Sequence, residues 1–182
     1  FIVLKDIYDE FVAAAKKAVE ATVVGDYDAE DTDMGPLSSE SARDELVESV
    51  QQAVKDGATL HCGGEKLDRP GWFMSPALIT DAPLDSDMGC REMFGPIVNI
   101  FKAEDEEDAI RIANDTPYGL MGSVWSKDVE RARRVGERVQ VGMLQINAHM
   151  ESGPEFPFGG INLSGYGREG AQWALREFTN EK

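Results

Sequence analysis

The chain has few basic residues and no long hydrophobic run. Its 18 Lys and Arg residues stand against 34 Asp and Glu residues, so the formal net charge is −16. Because phosphate groups are bound through a basic surface, this charge argues against binding to nucleic acid or to an anionic membrane. No apolar run approaches the roughly 20 residues of a membrane-spanning helix. We therefore expect no nucleic-acid partner and no membrane partner.

Cysteine and histidine are also scarce, with Cys62, Cys90, His61 and His149 as the full set. Two cysteines do not make a disulfide framework, and no pair has the spacing of zinc ligands. We therefore expect no metal site and a reducing, cytoplasmic location. A reactive thiolate needs electropositive surroundings, so Cys90 is interpreted as structural rather than nucleophilic.

Hydrophobic periodicity predicts an α/β fold. Hydrophobic residues make up 42% of the 182 positions, which is typical of a globular protein. Helices are predicted at residues 7–21, between Ser39 and Gly57, after Asp105, after Ser126 and at residues 169–178. Strands are predicted at residues 1–4, 58–62, 72–80, 97–101, 120–125 and 141–146. This alternation predicts a mostly parallel sheet flanked by helices.

The same patterns give four local predictions. Pro76 within the strand at 72–80 places that strand at an edge or on a bulge, because proline lacks a donor for the ladder. Residues 81–90 are predicted to be a loop. Val54 is assigned to the buried face of the second helix. Leu175 and Phe178 are assigned to the buried face of the last helix.

A short stiff loop is predicted at residues 92–96, Glu-Met-Phe-Gly-Pro, just before a strand. Pro96 fixes its own φ, and Gly95 lacks a Cβ, so another group can approach the backbone closely. The carboxylate of Glu92 suits a vicinal diol such as a ribose, and the ring of Phe94 offers an apolar wall to a flat ligand. The alternative interpretation is a loop glutamate in solvent and a phenylalanine in the core.

An irregular segment rich in glycine, proline and serine runs from 147 to 167, and His149 within it is a candidate pocket residue. Residues 165–170 match G-x-G-x-x-G. The dinucleotide fingerprint needs a hydrophobic strand directly before it, and Asn162-Leu163-Ser164 is not one. We therefore interpret these glycines as a tight turn into the last helix.

Several motifs together resemble the aldehyde dehydrogenase superfamily in order and spacing, over essentially the whole chain. They are Phe1-Ile2-Val3 with Tyr8-Asp9-Glu10-Phe11, Met34-Gly35-Pro36-Leu37, Glu92-Met93-Phe94-Gly95-Pro96, Ile112-Ala113-Asn114 with Tyr118-Gly119-Leu120, and Asn147 followed by Pro157-Phe158-Gly159-Gly160, Ser164-Gly165 and Gly167-Arg168-Glu169.

The resemblance implies a catalytic-domain-like fold and a reaction. A cysteine thiolate adds to the carbon of a small-molecule aldehyde, a hydride passes to NAD or NADP, and water hydrolyses the thioester. By position in the motifs, Glu92 would hold the nicotinamide ribose of this cofactor. Phe94 would pack beside the nicotinamide.

The resemblance also implies substrate residues. Asn147 would steady the loop at the site, Phe158 would line the aldehyde tunnel, and the stretch that begins at His149 would shape its mouth. Residues 154–158, Pro-Glu-Phe-Pro-Phe, resemble the succinate-semialdehyde branch. Ser152 falls near the serine with which such enzymes hold the substrate carboxylate. A semialdehyde substrate is therefore expected.

The resemblance places the nucleophilic cysteine, the general base and the nucleotide-binding turn before Phe1, and a subunit-joining strand after Lys182. We therefore expect residues 1–182 to be a thiol-subdomain fragment with no catalytic residue of its own, inactive in isolation. Its partners would be the missing nucleotide-binding domain and, in the full-length enzyme, further identical subunits. The alternatives are a non-catalytic binding or assembly module, a CoA-acylating relative and an unrelated acidic α/β domain.

Overall fold

The computed structural model describes residues 1–149, 153–180 and 182. The chain divides into two compact units, Phe1–Asp105 and Glu106–Lys182. In the described residues no helix combines the length and the apolar character needed to cross a membrane.

The first unit is built on a four-stranded sheet. Its elements are β1 (Ile2–Leu4), α1 (Lys5–Ala21), α2 (Glu40–Lys55), β2 (Thr59–Cys62), β3 (Ala77–Thr80), α3 (Asp87–Cys90) and β4 (Ile97–Ala103). The strand order is β1-β4-β3-β2. Both β1 and β3 run parallel to β4, and only β2 is antiparallel to its neighbour. The predicted mostly parallel sheet is confirmed.

The strand β3 lies at the centre of the core, and all four of its residues are buried. Successive side chains of a strand point to opposite faces. Leu78 accordingly packs in a cluster with Tyr8 of α1, whereas Ile79 packs in a cluster with Val50 of α2. A helix therefore covers each face of this sheet, which leaves the loops at the strand ends for binding.

Two sequence predictions fail around β3. The strand begins at Ala77, so Pro76 precedes it, and β3 is an inner strand rather than an edge strand. The proline needs no ladder donor there because it lies outside the paired residues. Residues 81–90 are not all loop either. The hydroxyl of Ser86 accepts a hydrogen bond from the amide of Gly89 at 3.1 Å and begins the one-turn helix α3.

The second helix, α2, begins and ends as its sequence predicts. The Ser39 hydroxyl accepts a hydrogen bond from the Ala42 amide at 3.1 Å, which satisfies one free donor of the first turn. Gly57 follows the helix with a φ of +106°, a left-handed value that suits glycine. The assignment of Val54 to the buried face is wrong, since it is exposed and Val47 is buried instead.

The second unit contains α4 (Glu106–Asn114), β5 (Met121–Val124), α5 (Val129–Gly136), β6 (Met143–Ile146), a 3-10 turn (Asn162–Ser164) and α6 (Ala171–Glu177). The strands β5 and β6 pair in parallel. The helix α5 crosses between them, and its Ala132 is fully buried. Asp128 caps α5 by accepting a hydrogen bond from the Arg131 backbone amide, so α5 begins two residues later than the prediction of a helix directly after Ser126.

The last helix, α6, differs most from its prediction. It spans only seven residues, and Leu175 and Phe178 are exposed rather than inward-facing. The G-x-G-x-x-G pattern before it does form turns, as predicted. Gly165, Gly167 and Gly170 all have positive φ, and no strand directly precedes them.

Candidate cofactor and substrate sites

The loop at residues 92–96 is anchored to the core of the first unit by the residues between and after its two candidate ligands. Met93 packs against two of the hydrophobic clusters. A Cβ built on Gly95 would lie 2.3 Å from Cδ1 of the buried Leu46, so only glycine allows this close approach. The Pro96 carbonyl accepts a hydrogen bond from the Ala77 amide at 2.8 Å. The loop backbone is therefore fixed by β3 and α2.

Glu92 and Phe94 project from this anchored backbone into solvent. The Phe94 ring is 82% exposed, so its alternative assignment to the core is wrong. Glu92 is also exposed and forms no hydrogen bond or ion pair within the described ranges. The φ of Phe94 is +41°, a left-handed conformation that costs a bulky residue about 1–3 kcal/mol. Phe94 is therefore an exposed ring in a left-handed conformation, two residues from a carboxylate that has no partner in the described part of the chain.

Asn147 in the second unit directly follows β6, and its side chain forms hydrogen bonds with the backbone of the neighbouring chain segment after β5. Its Oδ1 accepts a hydrogen bond from the Ser126 amide, and its Nδ2 donates to the Ser126 carbonyl, both at 2.8 Å. Its own amide still bonds to the Val124 carbonyl at 3.0 Å. The φ of Asn147 is +52°, which asparagine tolerates better than most residues. The chain therefore turns sharply at Asn147 while the ladder stays satisfied.

The two residues after Asn147 are tied to the same neighbouring segment. The Ser123 hydroxyl donates to the Ala148 carbonyl at 2.8 Å. The His149 ring lies 5.4 Å from the Trp125 ring, centroid to centroid, with the planes inclined at 58°. His149 is exposed. Sequence reasoning missed Trp125 and Ser126, because no sequence spacing links them to residues 147–149.

Phe158 is half-buried and lies in a short antiparallel pair with Glu169, joined by backbone hydrogen bonds of 2.8 and 2.7 Å. The glycines that follow it pack backbone against backbone. A Cβ built on Gly142 would lie 1.9 Å from the Gly159 carbonyl oxygen. Arg168 holds the same turn by donating to the Gly160 carbonyl at 2.8 Å. Phe158 is therefore presented from a segment that is fixed at both ends.

The six predicted site residues fall into two groups. Glu92 and Phe94 lie on one loop of the first unit, and Asn147, His149 and Phe158 lie in the second unit. Ser152 lies outside the described residues.

Both cysteines lie in the first unit and are partly buried. Burial raises the pKa of the Cys62 thiol, and the nearby Glu20 carboxylate raises it further. Cys90 is the last residue of the one-turn helix α3. Among the described residues no three His, Cys, Asp or Glu side chains gather as metal ligands would. A depression of about 300 Å³ beside Cys62 is lined largely by apolar residues and includes none of the predicted site residues.

The chain has an α/β fold with mostly parallel sheets, flanking helices and an anchored loop at residues 92–96. The family model of the aldehyde dehydrogenase family matches residues 1–182, so the chain belongs to that family.

Two curated relatives are similar in sequence to this chain over its whole length. The chain is 43% identical over 182 residues to succinate-semialdehyde dehydrogenase [NADP(+)] 1 of Mycobacterium tuberculosis strain H37Rv, and covers 40% of that protein. It is 44% identical to succinate-semialdehyde dehydrogenase [NADP(+)] of Mycobacterium avium, of which it covers 39%. The chain thus spans about two fifths of the length of these relatives.

Solved structures agree with this assignment. The fold matches a structure described as giving insights into cofactor and substrate selection by Gox0499, with a TM-score of 0.95 and 42% identity over all of this chain and 40% of that one. It also matches betaine aldehyde dehydrogenase of Staphylococcus aureus in complex with NAD+. That match has a TM-score of 0.93 and 35% identity, over 97% of this chain and 36% of the other. The predicted catalytic-domain-like α/β fold is confirmed.

Proposed function

We propose that these residues form part of an NAD(P)-dependent oxidoreductase that oxidises an aldehyde to a carboxylic acid. The observation that carries the proposal is the pair Glu92 and Phe94. Both are exposed, both are held on a backbone fixed to the core, and Phe94 is strained. Family membership supplies the reaction class.

A nicotinamide dinucleotide fits the chemistry of this pair. Glu92 would accept hydrogen bonds from the two hydroxyl groups of a ribose, and its carboxylate has no competing partner in the described part of the chain. The Phe94 ring would cover one apolar face of the nicotinamide end. When bound, such a cofactor supplies a hydride acceptor. NAD and NADP are both consistent with this pair, because neither residue would contact the group that distinguishes them.

In the second unit Asn147 would steady the loop at the substrate site through its bonds to Ser126. Phe158 and His149 would contact the aldehyde, with Ser152 nearby in sequence. The proposed substrate is a semialdehyde, supported by the 43–44% identity to enzymes named as succinate-semialdehyde dehydrogenases. The nucleophile would come from elsewhere in the enzyme, and the raised pKa of the Cys62 thiol is consistent with this.

We further propose that the 182 residues are a fragment of the catalytic domain. Its partners would be a nucleotide-binding domain of the same enzyme and further identical subunits, and the enzyme would be cytoplasmic. The chain's coverage of about two fifths of its relatives supports this proposal. The isolated chain should then form no NAD(P)H from any aldehyde. Turnover above background by the isolated chain would contradict the proposed fragment.

The cofactor role is tested in the protein produced from the complete reading frame that encodes these residues. Glu92→Gln should weaken NAD(P) binding about tenfold or more, because hydrogen bonds to a charged group contribute about 1.5–3 kcal/mol. Glu48→Gln, an exposed glutamate of α2, is the matched control. Cofactor titration by fluorescence measures both. Equal affinities for the two variants would remove Glu92 from the site.

The reaction is tested with the same protein by comparing kcat/KM for a semialdehyde and an uncharged aldehyde of equal length. A preference for the semialdehyde is expected. Oxidation of both at equal kcat/KM would remove the semialdehyde assignment but keep the enzyme class. Cofactor binding without oxidation of any aldehyde would instead favour the non-catalytic module.

A further inference from the structure

The strands β5 and β6 are parallel, so their carboxyl ends meet at one edge of their sheet. Ligands of α/β proteins bind at this edge. Trp125 directly follows β5, and His149 lies three residues beyond the end of β6. Both side chains are exposed, and Trp125 is 58% exposed. The two rings therefore occupy the edge at which a ligand is expected.

Each of three consecutive residues after β6 has its own partner after or within β5. Asn147 binds the Ser126 backbone, and the Ala148 carbonyl accepts from Ser123. The His149 ring packs on the Trp125 ring. The first two contacts fix only the backbone. Within the described residues, the ring contact with Trp125 is the one that involves the His149 side chain.

The ring contact has the geometry of an attractive aromatic pair. A centroid separation of 5.4 Å and an inclination of 58° fall in the tilted, edge-to-face range that aromatic rings prefer. A half-exposed tryptophan gains less from burial than a core residue does, so packing of the fold alone does not explain its position. The pair limits the rotamers that the His149 side chain can adopt.

We propose that Trp125 is a positioning residue for substrate selection, which it exerts by holding the His149 ring so that the ring N–H can donate to the carboxylate of a semialdehyde. This inference rests on the proposed function. Trp125 itself does not touch the substrate. Loss of the pair should therefore raise KM for a semialdehyde and leave kcat and the KM of an uncharged aldehyde nearly unchanged.

The size of the effect follows from the strength of such a pair. An aromatic pair of this kind changes a binding constant by about threefold to tenfold. Trp125→Ala should raise KM for the semialdehyde by about that factor. Trp125→Phe should restore most of it, because phenylalanine keeps a ring at the same place. Trp173→Ala removes another half-exposed tryptophan of the same unit and should leave KM unchanged.

The pair is tested first in the 182-residue chain by NMR. The chain has only two histidines, so the ring protons of His149 can be assigned by comparison with His61→Gln. Trp125→Ala should move the His149 ring signals by removing the ring current of the indole, and Trp173→Ala should not. Unchanged His149 signals in Trp125→Ala would overturn the proposal at this step.

The consequence is then tested in the enzyme made from the complete reading frame. A rise in KM for the semialdehyde alone, rescued by Trp125→Phe, supports the proposal. Equal changes for both aldehydes, or none, overturn it while the proposed function stands. If the unmutated enzyme oxidises no aldehyde, the proposed function fails and this inference fails with it.

Discussion

Replacing Gly142 by alanine should disrupt the segment that presents Phe158. An added Cβ at residue 142 would lie 1.9 Å from the Gly159 carbonyl oxygen and 2.8 Å from the Gly160 Cα. Ordinary contact begins near 3.4 Å, so the two backbones would have to separate by about 1.5 Å. No side chain can rotate away to relieve this contact, because both partners are backbone.

The cost can be worked out from the bonds that such a separation would strain. The segment after Phe158 is held to the chain before β5 by three hydrogen bonds. The Ile161 amide donates to the Gly119 carbonyl at 3.0 Å, the Leu163 amide donates to the Pro117 carbonyl at 2.9 Å, and the Gly119 amide donates to the Ser164 hydroxyl at 3.0 Å. Breaking two or three bonds, each with a net contribution of about 1 kcal/mol, gives about 2–4 kcal/mol including strain. The free energy of unfolding of the second unit should fall by that amount.

Gly122 of β5 is the matched control, because a Cβ there would lie 3.5 Å or more from the nearest side chains. Gly122→Ala should change the unfolding free energy by less than about 1 kcal/mol. Urea denaturation in a Trp72→Phe background lets the tryptophan emission report the second unit, since Trp125 and Trp173 lie there. Equal midpoints for Gly142→Ala and Gly122→Ala, at unchanged m values, would refute the reasoning.

Two further predictions concern the second unit. Asn147→Gly and Asn147→Ala should both lose the two hydrogen bonds to Ser126. The alanine variant should be less stable than the glycine variant by about 1 kcal/mol, because alanine is disfavoured at the left-handed φ of residue 147. Equal unfolding free energies of the two variants in urea would contradict this. The Arg138 guanidinium holds the pKa of Glu107 below its usual range. A carboxyl group with a lowered pKa stabilises the folded state at pH values above its usual pKa, and this stabilisation disappears as the pH falls through the lowered pKa. Arg138→Gln should therefore be less stable than Arg134→Gln at neutral pH, and the difference should vanish in acid; a difference that does not depend on pH in acid denaturation would disprove this.

Sequence pattern predicts the elements of this fold better than it predicts their surroundings. Apolar periodicity identified α1 and α2 because each has a long apolar face. It failed at α6, where seven residues are too few for a periodic pattern to indicate a buried side. It also placed Pro76 inside β3, because local sequence does not show where the paired residues of a strand begin.

In the candidate site too, sequence patterns identify candidate residues more readily than they predict the contacts around them. Motif resemblance selected Phe94, but the general tendency of phenylalanine to be buried would have placed it in the core. The backbone beside Phe94 is fixed by the close contact of Gly95 with Leu46, which are far apart in sequence. Trp125 could not be found from sequence for the same reason, since its partner His149 is distant along the chain. Contacts of this kind are set by the tertiary structure alone.

The side chain of Asn147 has a consequence for the loop that follows it. The side-chain amide of Asn147 bonds to both backbone groups of Ser126, so these groups have their hydrogen bonds before the loop after Asn147 begins. The length and composition of the loop can then vary without leaving a strand end unsatisfied. Loops exchanged between members of the family directly after Asn147 should therefore fold on this scaffold, which makes that position a suitable junction for testing whether the loop selects the proposed aldehyde.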